Sequence, residues 1–118
     1  MSTTEIMNGR ITGTRLGEEH GFLTADLTIE GDGWGCGFGG YVLAHWFGTH
    51  KPTCGAGAIA ELLRTLDLEK WEQLRGTYVR VKCDGGWGGK ITAIGHIYKD
   101  QWFSFKEFFE KCKEGTQE

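Results

Sequence analysis

The chain has 118 residues, 39% of them apolar, 13% aromatic and 25% charged, with a formal net charge of -3. That length suits one domain around one core, and the composition is that of an ordinary globular protein. The slight acidity argues against a duplex-DNA or RNA binder that works through bulk positive charge, and no apolar run is long enough to cross a membrane as a helix. The start, MSTTEIMNGRITG, lacks a basic segment followed by an apolar one, so no secretory leader is expected.

Residues 1–7 are polar and are expected to fray. Residues 9–18 form a weak strand, broken by a turn at 18–21. Residues 22–30, FLTADLTIE, alternate cleanly, with Leu23, Ala25, Leu27 and Ile29 on one face and Phe22, Thr24, Asp26, Thr28 and Glu30 on the other. That period of two predicts a half-buried strand, and the tight GDG turn at 31–33 predicts a hairpin. After it, Trp34, Cys36 and Phe38 share one face while Gly35, Gly37 and Gly39 leave the other without side chains. A phosphate-cradling loop has no reason to alternate in this way. A strand whose second face is pressed by a helix, a ring or a ligand does. Gly40 breaks the phase, as a β-bulge would, before residues 41–47.

Residues 48–55, which contain the single proline, read as a loop. Residues 56–66 form an amphipathic helix with Ile59, Leu62, Leu63 and Leu66 on one side. Asp67 is placed to cap a shorter helix at 68–74 that stops before Gly76. Residues 77–83 are a strand with Val79, Val81 and Cys83 inward and Tyr78, Arg80 and Lys82 outward. A turn at 84–89 leads into a strand at 90–98. Ser104 and Glu107 form a capping box for a last helix at 105–113, which buries Phe105, Phe108, Phe109 and Cys112. The expected architecture is a single α+β domain: an antiparallel sheet of about five strands with two main helices packed on it. The cysteines, Cys36, Cys54, Cys83 and Cys112, show no paired spacing and are read as reduced.

Three stretches, GFLTADLTIEGDGWGCGFGGYVL, WEQLRGTYVRV and GGWGGKITAIGHIYKDQWF, together resemble a family of small accessory proteins from tailed bacteriophages and prophages. The resemblance covers most of residues 11–103, and the glycine-aromatic strand is its most specific part. AHWFGTHKPTCG departs from the pattern and reads as a variable loop. The family carries no assigned catalytic residues, so none is transferred. The resemblance implies a phage origin and the host cytoplasm, and, by association, a role against host defence.

Several groups could carry chemistry. The glycine segments 31–40 and 84–89 offer backbone N–H groups beside Trp34, Phe38 and Trp87, with Arg80, Lys82 and Lys90 to supply charge. Amides and aromatic planes suit the phosphate and base of a nucleotide. Turns and close packing account for the same glycines without a ligand, and neither a Gly-Lys-Ser/Thr nor a dinucleotide-binding spacing is present. His45, His50 and Cys54, with His20 and His96 elsewhere, could hold zinc but lack paired knuckle spacing, so no metal is assigned. His20 or His96 with Asp26 could do acid–base work, yet nothing places them together, and the chain is read as non-enzymatic, with no cofactor. Of the five Trp, Trp71 and Trp102 sit between apolar neighbours and read as core, while others can line a binding surface.

The expectation is therefore a binding protein with ligand contacts at Trp34, Gly37, Phe38, Gly39, Arg80, Lys82, Trp87 and Lys90. It would sequester a nucleotide-derived immune signal, as a homo-oligomer sharing the pocket between copies. The alternative is an inhibitor that binds a host defence protein directly, as anti-CRISPR proteins do. Neither membrane nor bulk nucleic acid is an expected partner.

Overall fold

The computed structural model describes residues 4–46, 54–84 and 90–115. Six antiparallel strands form one sheet in the order β3-β2-β1-β4-β5-β6: β1 (Thr4–Glu19), β2 (Phe22–Gly31), β3 (Trp34–His45), β4 (Tyr78–Asp84), β5 (Lys90–His96) and the short β6 (Trp102–Phe103). Helix α1 (Gly55–Thr65) follows β3, and α2 (Phe105–Gly115) follows β6. This is the expected α+β domain with one strand more than counted from sequence. Trp102 and Phe103 are too few to show a period, and only their pairing with Gly95 and Ile94 makes them a strand.

β1 is the organising element. Its first half pairs with β4, from Thr4 opposite Asp84 to Arg10 opposite Tyr78. Its second half pairs with β2, out to Glu19 opposite Phe22. One long strand thus serves two partners, with a register shift between Ile11 and Gly13 where it changes from one to the other. Residues 4–7 are therefore not frayed: they are laddered to β4.

The alternation read from sequence holds along most of β2 and β4, the exception being Thr24, read as outward but buried next to a register shift at Leu23/Thr24. Ala25, Leu27 and Ile29 of β2 and Val79, Val81 and Cys83 of β4 enter the core with Ile11, Ile94, Leu62, Leu74 and Phe105. Both helices cover this face. The sheet curls so far that β3 and β5 come within 8 Å of each other, Cα to Cα, although three strands separate them in the sheet order. The result is an open barrel with a seam between β3 and the β5–β6 side.

Three expectations need correction. At Gly37 the glycine face of β3 is not pressed by a helix or ring: a Cβ there would meet only the Leu27 carbonyl oxygen, at 3.8 Å. Gly39 is glycine for a backbone reason, with φ +117° and a would-be Cβ 2.6 Å from the Ala25 oxygen. The expected bulge is present at Gly40, between the pairs Asp26–Gly39 and Ala25–Tyr41. Next, Asp67 caps no helix. It lies past the end of α1 with φ +58°, and residues 68–74 contain only a 3-10 turn, Trp71–Gln73. Finally, Cys54 and Cys112 are joined as a disulfide, with their Cα atoms 6.4 Å apart, while Cys36 and Cys83 stay free. The separation of 58 residues hid this pair; it exists because the start of α1 and the last turns of α2 lie side by side. Most of the expected loop at 48–55 lies outside the described residues.

Candidate functional site

A cavity of about 780 Å³ opens at the seam. One wall is the main chain of β3, residues 37–41, at the bulge. The opposite wall is β5, residues 90–93, with Lys82 and Asp84 of β4 beside it. The end is closed by Trp102 and the first turns of α2. The bulge explains the first wall, since glycine at 37, 39 and 40 leaves backbone exposed to whatever enters.

Five of the eight residues expected from sequence line this cavity: Gly37, Phe38, Gly39, Lys82 and Lys90. Two do not. Trp34 folds back over Gly31 and Gly9 at the hairpin end, where its ring packs on the core margin. Arg80 is committed to structure: its Nε donates to the His96 carbonyl at 2.8 Å and its Nη2 to the Lys99 carbonyl at 2.7 Å. Trp87, with the turn at 85–89, lies outside the described residues. Phe38 is in place but in a different role. It is buried, with its ring 5.3 Å from that of Phe105, so it floors the cavity and offers no free face for stacking.

Two aromatic residues at the site were missed. Trp102, read as core, lies on Gly95, where a Cβ would collide with the indole. The ring also carries the Arg80 guanidinium at 4.9 Å and the Lys82 Nζ at 4.3 Å from a ring centroid. These cation–π contacts hold Lys82 at the cavity edge. Tyr41 stands half-exposed on the other wall, stacked 5.5 Å from Phe105. The glycine at position 95 opposite a tryptophan seven residues later was the available signal for Trp102.

The site is electrically mixed. Lys82, Lys90 and Lys106 face Asp84, Glu107 and Glu110 around the mouth. No pair among these six comes within ion-pair distance among the described residues. The N-terminus of α2 points into the same space, with Ser104 Oγ accepting from the Glu107 amide at 3.3 Å, which is the Ser104 half of the expected capping box. A helix N-terminus favours negative charge. Taken together, the three ammonium groups, the first turn of α2 and bare glycine backbone can receive an anionic group, while Tyr41 supplies an aromatic plane.

His96 and His45 are otherwise engaged. His96 Nδ1 accepts from the amides of Tyr98 and Lys99, each at 3.2 Å, and its Nε2 lies 3.2 Å from Asp67 Oδ2. It is therefore tied to Asp67 and not paired with Asp26. The same Asp67 oxygen accepts from Lys99 Nζ at 2.6 Å, and that hydrogen bond holds the carboxyl below its ordinary range. His45 packs on Phe22 with ring centroids 5.2 Å apart, and Cys54 is spent in its disulfide, so the His45, His50 and Cys54 grouping loses a zinc ligand; His50 lies outside the described residues. Among the described residues no three His, Cys, Asp or Glu side chains gather as a metal site would need. Comparison with protein-family models, with curated proteins and with solved structures finds no match.

Proposed function

We propose that this chain is a non-enzymatic phage accessory protein that holds a nucleotide-derived immune signal in the seam cavity and so withdraws it from the host response. The observation that carries the reading is the convergence of Lys82, Lys90, Lys106 and the α2 N-terminus on bare β3 backbone within one cavity. A phosphate takes charge-assisted hydrogen bonds from ammonium and amide groups. A base stacked on an aromatic plane adds about 1–3 kcal/mol. The carboxylates at the rim discriminate against a densely charged polymer and favour a small ligand with one or two phosphates. The proposed setting is the host cytoplasm, and a homo-oligomer would raise affinity by closing the open mouth with a second copy.

Direct binding to a host defence protein is the second reading. It is favoured by Val42 and Trp46, which stand 48% and 51% exposed at the end of β3. The test that separates the two is a mass-spectrometric survey of small molecules released by denaturing protein purified from infected cells. A nucleotide released in proportion to protein supports sequestration. Its absence, with a host protein recovered in its place, supports direct binding.

A further inference from the structure

The disulfide sits where it can govern the cavity, and this inference does not depend on what the cavity binds. Cys54 immediately precedes α1, and its carbonyl accepts the Ala58 amide at 3.0 Å to open that helix. The start of α1 is pressed onto β3, where a side chain on Gly55 would collide with Leu43. Cys112 lies two turns along α2 from Phe105, in the same stripe as Phe105, Phe108 and Phe109. The bond therefore ties the far half of α2 to the β3–α1 junction. The opposite flank of that helix carries Lys106, Glu107 and Glu110 into the cavity wall.

The two ends of α2 are held unequally. Phe105 is 2% exposed and packs on Phe38, Tyr41 and Phe103. Phe108 and Phe109 are only half-buried, and beyond them the disulfide is the remaining described tether. An eleven-residue helix is marginal in water without tertiary contacts. Of the two free cysteines, Cys83 is buried in the core, where burial raises its thiol above the ordinary value, and Cys36 is half-buried. Cys54 and Cys112 are half-buried, within reach of a small thiol.

We propose that the Cys54–Cys112 pair is a redox-sensitive clasp: closed, it holds the second half of α2, and with it Glu110, against the seam cavity, and open, it lets that half fray away. The reductant is a low-molecular-weight thiol. Its thiolate attacks one protein sulfur, forms a mixed disulfide and releases the other cysteine as a thiolate. A second thiol then displaces the protein sulfur. Two electrons pass from two small thiols to the protein disulfide, two protons end on Cys54 and Cys112 at neutral pH, and the small-molecule disulfide leaves. An oxidised small-molecule disulfide closes the clasp by the reverse steps.

Amide hydrogen exchange on the whole protein, in reduced and in oxidised glutathione, tests this. Reduction should speed exchange in the second half of α2 by at least about tenfold and leave β1 and β2 unchanged, as local opening does. The variant Cys54→Ser/Cys112→Ser should exchange like the reduced protein and ignore the redox couple. Cys36→Ser should respond as the unaltered chain does. Equal exchange of α2 in both couples, a serine pair that still responds to redox, or four titratable thiols after equilibration with oxidised glutathione would each overturn the clasp. The exchange arms use the wild-type chain, so a variant that fails to fold leaves the test intact.

Discussion

Gly37 and Gly39 are two residues apart on one strand face, yet substitution should affect them differently. Gly37 is exposed, with ordinary φ and open space where a Cβ would go. Gly37→Val should change unfolding free energy by no more than about 0.5 kcal/mol. Gly39 has a backbone that L side chains rarely adopt and a carbonyl in the way, so Gly39→Val should cost about 2 kcal/mol or more. Urea denaturation of both variants checks this, and equal losses would refute it. Asp67 gives a second case. The Lys99 hydrogen bond holds its folded pKa below the ordinary 3.8, so its contribution is present at neutral pH and is lost as pH falls through and below that value. Lys99 is shifted upward by the same bond, so its share disappears only as pH rises past 10.5. The melting-temperature gap between the natural chain and Asp67→Asn should thus narrow as pH falls below about 4. A gap independent of pH down to pH 2 would show that the pair adds nothing.

Among the elements, legibility followed burial. β2 and β4 were readable because one face of each enters the core, and the period of two is the trace of that burial. α1 was readable from its leucines and matches to within one residue. β1 was only partly readable, because Thr and Gly at 12–14 and 17 carry little alternation and nothing local says that residues 4–7 meet β4, over seventy positions away. The glycine strand was correctly read as a strand with its bulge, but its bare face was assigned a crowded neighbour. Sequence shows that side chains are missing; it does not show whether the gap is filled. α2 rests on Phe105, which touches both walls of the seam through Phe38, Tyr41 and Phe103. Phe105→Ala should therefore cost about 3–5 kcal/mol by chemical denaturation. A loss under about 1 kcal/mol would mean that α2 is not docked through this ring.

For the whole molecule, the curl of the sheet decides what the candidate residues can do. Lys82 and Lys90 were legible as a pair flanking a turn, and residues 37–39 as an unusual strand. That they face each other follows only from β3 and β5 closing toward a barrel, a long-range consequence of β1 serving two partners. Trp34 and Arg80 were lost from the site for the same reason: the hairpin end turns away from the seam, and Arg80 is drawn into carbonyls of the β5–β6 connection. The central claim is that the seam binds a small anionic nucleotide. Calorimetry against cyclic dinucleotides, cyclic trinucleotides and ADP-ribose derivatives tests it most directly, using the natural chain and the Lys82→Ala and Lys90→Ala variants. At least one compound should bind with micromolar affinity, about -8 kcal/mol, and each substitution should weaken it about tenfold, or 1.4 kcal/mol. Absence of heat with every compound, or binding that both substitutions leave unchanged, would contradict the account.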